Sequence, residues 1–295
     1  MVAGTSELTG YPFASHWLEL GGARLHYLDE GPRDGPPLVM CHGNPTWSFY
    51  YRTLIPDLSQ TYRVIVPDHV GCGLSDKPQD YPYTLEQHIR NLETLVAHLD
   101  LHAITFVLHD WGGAIGMGAA VAQPQRFTRF ALMNTAAFRA ERCPWRIRLC
   151  HVPGLGALGV QGMNLFIKAA IRMAAERKER MTPAVRAGLS APYDSWANRI
   201  AVLRFALDIP LKPSHPTFQT LTDIENGLGQ FADHPVLLLW GMKDWCFTPQ
   251  FLDRFLEYLP NAEVERLADA GHYIVEDAHE RVVPLLEDFL KRTQS

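Results

Sequence analysis

ITFVLHDWGGAIG, residues 104–116, begins as an apolar strand, breaks at His109, Asp110 and Trp111, and restarts as a helix on two glycines. A sharp strand-to-helix turn of this kind lifts its central residue above the sheet edge and directs the next backbone N–H at a reacting group. The usual signature of such a turn is GxSxG. Here Asp110 stands in the serine position, Gly112 follows two residues later, and Leu108 replaces the first glycine. The stretch by itself leaves two readings open: a carboxylate nucleophile, or a buried Asp held by loop amides.

Outward from this turn, short apolar runs alternate with amphipathic stretches, which predicts a parallel sheet covered by helices. HWLEL (16–20) and ARLHYLDEG (23–31), joined at Gly21 and Gly22, predict an opening hairpin. LVMCHG, RVIVPD, ITFVLHD and FALMN predict successive sheet strands. TLEQHIRNLETLVAHLD predicts a helix that starts on a Thr84/Gln87 capping box, with Leu85, Ile89, Leu92, Leu95, Val96 and Leu99 on one face.

The pattern changes after Asn134. Residues 137–212 show no strand and several helical pieces punctuated by Pro and Gly, so the chain divides into a core of 1–136 and 213–295 and a helical cap of 137–212. The core pattern resumes with a helix near 216–231, the strand VLLLWG, a helix near 248–258, the strand AEVERLA and a last helix from about 279 to 292. Within the cap, ERKER (176–180) reads as a solvated helix face. GALGVQGMNLFIKAAI (156–171) is apolar enough to touch lipid and is assigned to a substrate cavity.

The 295 residues carry 47% hydrophobic and 20% charged side chains and a net charge of −5, so no basic groove and no nucleic-acid partner are expected. Five scattered cysteines without a CxxC pair suggest reduced thiols. The opening residues lack the basic and apolar regions of a secretory signal, and no apolar run is long enough to span a bilayer. A cytoplasmic location without a transmembrane segment is expected.

Three further stretches favour the nucleophile over the buried structural Asp. HGNPTW (42–47) follows the third strand and resembles the loop that supplies a second oxyanion N–H in α/β-hydrolases. Asp244, in WGMKDWCF, follows the strand VLLLW, and His272, in DAGHYIVED, follows the final strand. Nucleophile, acid and histidine thus run in the order Asp110, Asp244, His272, as that fold requires. His42 and His109 are assigned to supporting the site loops.

With these stretches read, the chain resembles the haloalkane dehalogenase group of α/β-hydrolases over nearly its full length. It is most similar to the third subfamily, which includes bacterial β-lactone decarboxylases of long-chain olefin biosynthesis. HGNPTWSFYYR, VIVPDHVGCGLSDKP, LMNTAAF, APYDSWANRI and DIPL carry that likeness. The resemblance implies an α/β-hydrolase fold with a mostly parallel central sheet and a helical cap inserted after the sixth strand. It implies Asp110 as nucleophile, His272 as base, and Trp111 with Asn44 as leaving-group ligands. The second subfamily carries its acid as Glu where this chain has Asn134, so the acid falls to Asp244. Trp145 and Trp196, both in the cap, are assigned to wall or core positions.

A carboxylate suits displacement at carbon because it is anionic near neutral pH without help from a base. In dehalogenation Asp110 would form an alkyl ester while Trp111 and Asn44 hold the departing halide, and His272, oriented by Asp244, would activate water. The backbone N–H groups of Asn44 and Trp111 would stabilise the oxyanion. The resemblance implies that the same apparatus converts cis-3,4-dialkyl β-lactones to cis-alkenes, with hydrolysis of 1-haloalkanes as the alternative. Neither route calls for a metal or an organic cofactor. Homo-oligomers and a complex with other olefin-biosynthesis enzymes are implied by the resemblance alone.

Two neighbouring activities fit less well. Epoxide hydrolases use two cap tyrosines, and 137–212 contains only Tyr193; fluoroacetate dehalogenases use an arginine beside the nucleophile, where this chain has Trp111. A catalytically silent binding protein of the same fold would not need the full set of site residues.

Overall fold

The computed structural model describes residues 8–140 and 143–294. Eight strands form one sheet: β1 (His16–Glu19), β2 (Arg24–Glu30), β3 (Pro37–Cys41), β4 (Arg63–Pro67), β5 (Ile104–Asp110), β6 (Phe127–Thr135), β7 (Val236–Gly241) and β8 (Glu263–Leu267). Their spatial order is β1-β2-β4-β3-β5-β6-β7-β8. The hairpin β1–β2 and the β2–β4 pair are antiparallel, and every other pair is parallel. Each predicted strand forms.

Parallel strands are covered on both faces and read as continuous apolar runs. All seven residues of β5 and all six of β7 are buried. Because side chains alternate across a strand, Val107 packs into one core layer, and Phe106 and Leu108 into the other. Helices of eight residues or more are α1 (Leu85–His98), α2 (Trp111–Ala122), α3 (Leu165–Met173), α4 (Pro183–Ser190), α5 (Ile200–Leu207), α6 (Pro216–Gly227), α7 (Pro249–Tyr258) and α8 (Ile274–Arg292). Leu95 of α1, Ile115 of α2, Ile224 of α6 and Leu252 of α7 seal one face. Val282, Leu286 and Phe289 of α8 seal the other.

Two local expectations are corrected in part, and a third holds. Thr84 caps α1 by accepting from the Gln87 backbone N–H, but the Gln87 side chain turns to Asn91, so only half the capping box forms. The longer run of the last helix starts just after the non-helical backbone at Ala278, as expected from about 279, and a separate first turn from Ile274 precedes it. ERKER is a solvated helix face only over Lys178–Arg180, a single 3-10 turn. It lies between α3 and α4, where Arg177 and Arg180 reach across to Asp269 and Glu280.

Between β6 and β7 the described residues contain helices and turns but no strand. The segment is tied to the sheet's rim through buried polar contacts. Asp277, in the first turn of α8, accepts the N–H groups of Glu176 and Arg177 from the helical segment and of Gly271 from the loop after β8. A single carboxylate thus clamps that loop and the helical segment together.

Candidate active site

The site lies at the carboxyl ends of the parallel strands, where strand-to-helix loops converge. β5 ends in Asp110, which has φ +52° and ψ −127° and begins α2 without a side-chain cap. Such backbone is sparsely populated for a residue with a side chain and persists only where its surroundings enforce it. Gly112 provides one such constraint, because any Cβ there would collide with the Cys41 carbonyl at the end of β3. Gly43 is needed for the opposite reason. A Cβ at that position would occupy the space of the Asp110 carboxylate itself.

Asp110 is buried, and its Oδ1 accepts the Asn44 N–H at 2.7 Å, while the Trp111 N–H also bonds the carboxylate. The two amides expected as oxyanion donors therefore both favour the charged carboxylate, with the Asn44 N–H on Oδ1, at the N-terminus of α2, where the helix dipole favours negative charge. Oδ2 faces His272 Nε2 at 3.6 Å, too far for a hydrogen bond. Burial raises the Asp110 pKa above the ordinary carboxylate value, with Asp244 adding to the rise and His272 and the two N–H groups opposing it.

His272 Nδ1 lies 2.8 Å from Asp244 Oδ2. A hydrogen bond at that length fixes the tautomer, with the proton on Nδ1 and a lone pair on Nε2 directed toward Asp110. Burial works against protonation of His272, but the field and hydrogen bond of Asp244, with Asp110 behind them, outweigh it and raise its pKa. Asn134, at the end of β6, donates to Asp244 Oδ2 at 3.0 Å and to the Gly241 carbonyl, and accepts from the Gly241 N–H. It stitches β6 to β7 and aims the acid. Cys246 N–H holds the other oxygen of Asp244.

His109 Nε2 sits 2.8 Å from the His272 carbonyl, and burial holds its pKa well below the ordinary histidine value, so the neutral ring donates and fixes the backbone of the base. His42 Nδ1 bonds the Gly43 carbonyl, and its Nε2 accepts the His69 N–H. Both histidines support the loops, as their positions suggested. Asn44 directs its side-chain amide to the Val202 carbonyl of α5 at 3.1 Å, leaving its carbonyl oxygen without a partner. Tyr193, the lone cap tyrosine, is buried and bonds the Thr46 carbonyl.

Two cavities meet at Asp110 and Trp111, with Ile147, Ile209, Cys246 and Phe247 also common to both. The smaller, about 220 Å³, runs past Ala136, Phe138, Leu221 and Phe251. The larger, about 410 Å³, runs past Val160, Leu165, Phe166 and Ala170, so the 156–171 stretch does line a cavity. Trp145 borders the larger cavity but is 64% exposed, and Trp196 is 50% exposed. Neither is a core residue, which corrects that part of their assignment.

The fork residues Cys246 and Phe247 were missed from sequence, although they follow Asp244 within the same WGMKDWCF stretch. The Phe247 ring stacks on His272 with centroids 5.6 Å apart.

A carboxylate on a strained strand-to-helix turn, a backbone amide on its Oδ1 and a His–Asp pair beside its Oδ2 describe one class of fold and site. A family described as alpha/beta hydrolase fold matches residues 36–278, and the chain belongs to it. More particularly, it is 44% identical over 290 residues to the cis-3-alkyl-4-alkyloxetan-2-one decarboxylase of Shewanella oneidensis, covering 96% of this chain and 90% of that one. It is 34% identical to haloalkane dehalogenase 2 of Mycobacterium bovis, covering 92% and 93%. Among solved structures, the haloalkane dehalogenase DbeA from Bradyrhizobium elkani superposes with a TM-score of 0.87 at 25% identity, covering 95% of this chain and 98% of that one.

Proposed function

We propose that the chain is an enzyme that decarboxylates cis-3,4-dialkyl β-lactones to cis-alkenes through a covalent intermediate on Asp110. The observation that carries this reading is the forked cavity. Two apolar arms diverge from the nucleophile, one for each alkyl substituent, with the four-membered ring at the fork beside Asp110 and Trp111. A 1-haloalkane has one chain and would leave an arm empty. The higher identity to the decarboxylase than to the dehalogenase points the same way.

In this mechanism Asp110 Oδ2 attacks the lactone carbonyl carbon while Oδ1 stays on the Asn44 amide, with the Trp111 amide beside it. Collapse of the adduct breaks the bond from the carbonyl carbon to C3 and the bond from C4 to the ring oxygen. The C3–C4 double bond forms, and the carbonyl carbon with its two oxygens stays on Asp110 as an acyl carbonate. His272 takes a proton from water, which attacks the Asp110 carboxyl carbon and releases bicarbonate. The amides hold the oxyanion on Oδ1, a contribution of roughly 10² to 10³ in rate per donor. The 137–212 segment acts as the cap that encloses both chains and excludes water.

The resting geometry supports this hydrolytic step. Nε2 of His272 is 3.6 Å from Oδ2, close enough to serve a water entering beside the intermediate without being bonded to the nucleophile. No residue pair in the helical segment matches the two tyrosines of an epoxide hydrolase, since Tyr193 is spent on the Thr46 carbonyl.

The deciding experiment presents the purified protein with a cis-dialkyl β-lactone and, separately, with a panel of bromoalkanes. Alkene from the lactone supports the reading; rapid halide release without alkene assigns the chain to the dehalogenases instead. Asp110→Asn is expected to abolish turnover. Unchanged turnover in that variant would remove Asp110 from the chemistry.

A further inference from the structure

The helical segment presents an apolar surface that the interior does not use. Trp145, Leu149, Leu155, Leu158, Met163 and Leu165 are between 47% and 64% exposed. Trp145, Leu149, Leu155 and Leu165 border one cavity, and a Cβ on Gly162 would lie 3.2 Å from the Trp196 ring and 3.3 Å from Leu158, which brings those two together on the same stretch. Isolated exposed leucines are ordinary, but a contiguous cluster marks an interaction surface.

Charge identifies the occupant. Residues 145–172 include Arg146, Arg148, Lys168 and Arg172, all exposed, and no Asp or Glu, within a chain of net charge −5. A second copy docking through the same face would set these cations against one another. An anionic lipid surface complements both features, taking leucine and tryptophan side chains into the headgroup region with the basic residues at the phosphates. The patch also coincides with the mouth of a cavity. Trp145, Leu149, Leu155 and Leu165 line the larger arm as well as the exposed surface.

We infer that this face docks on an anionic bilayer, so that the larger arm opens onto the membrane and takes a water-insoluble alkyl substrate directly from it. The chain lies on the surface and does not cross it, since no helix among the described residues is long and apolar enough to span a membrane.

The test is co-sedimentation of the full chain with vesicles of phosphatidylcholine alone and of phosphatidylcholine mixed with phosphatidylglycerol. Sedimentation with the mixed vesicles, weakening as salt rises, is expected. Lys168→Glu/Arg172→Glu is expected to lower that binding by about tenfold or more, given the contribution of each basic side chain at an anionic surface. Leu158→Glu/Met163→Glu is expected to lower it comparably by removing the inserted side chains. A chain that stays in the supernatant with both vesicle types overturns the inference, as does binding that neither double variant changes. So does sedimentation velocity in which the wild type self-associates through this face and the variants run as monomers. Circular dichroism checks that the variants fold, and the salt dependence of the wild type tests the inference without them. Binding is read without turnover, so its failure leaves the lactone reading intact, and failure of that reading leaves the docking surface standing.

Discussion

Asp110 has its two carboxylate oxygens in different surroundings, one on the Asn44 amide and one facing the histidine, and this asymmetry makes its chemistry testable. After turnover in heavy-oxygen water, the peptide containing Asp110 should carry heavy oxygen, because water attacks the carboxyl carbon and not the substrate. An unlabelled peptide after many turnovers would exclude attack of water on the Asp110 carboxyl carbon. His272→Ala given an alkyl bromide should release one equivalent of halide and retain the alkyl group as added mass on Asp110. The pH dependence follows from the raised His272 pKa. The base works only when neutral, so activity should fall as pH drops through a value above the ordinary histidine range. Asp244→Asn removes the main groups that raise it, so the acidic limb should move to lower pH while hydrolysis slows by roughly 10²- to 10⁴-fold. A limb that stays in place would show that Asp244 does not set it. That Asp110, Asp244 and His272 come together was legible in sequence because each stands at or shortly after the end of a recognisable strand. The second role of Asn134 was not, because a residue that bonds across two strands leaves no trace in local spacing.

Among the elements, the turn after HGNPTW and the first turn of α8 share a buried ion pair. Arg52, in the turn after HGNPTW, forms a two-pronged contact with Glu276, four residues beyond His272, at 2.6 and 2.9 Å. Both side chains are less than a tenth exposed. Removing one partner of a buried pair strands the other charge, so Glu276→Ala is expected to cost about 3–5 kcal/mol in urea unfolding and to lower activity along with stability. A loss below 1 kcal/mol would show that water reaches Arg52 after the change. Neither residue was singled out from sequence, since two charged side chains more than two hundred positions apart carry no local signal of contact. The half-formed capping box has a similar cause. Asn91 competes for the Gln87 side chain one helical turn away, and the tertiary fold decides the winner. Strand assignments fared better because burial on both faces imposes a composition that tertiary contacts do not override.

At the scale of the whole molecule, the unequal arms predict that the two alkyl chains are treated differently. Ala136→Phe, which fills the smaller arm, should lower turnover of a dialkyl lactone by about tenfold or more and that of a single-chain bromide by less. Equal losses would mean that both substrates use the same arm. The wall of the larger arm was legible in the apolar 156–171 stretch, but the fork was not. The smaller arm is assembled from Ala136 and Phe138 after β6, Leu221 of α6 and Phe247 after β7, which lie far apart in the chain.

β6 and β7 lie side by side, Phe130 against Val236, although the whole helical segment intervenes between them. Closing a flexible loop costs only logarithmically more as it lengthens, about 0.6 kcal/mol for each doubling. The sheet is thus energetically insulated from the size of what it carries. A lineage can lengthen, trim or recompose the intervening helical segment and leave β5, β6 and β7 in register, so the residues that line the cavities can change without rebuilding the sheet that positions Asp110.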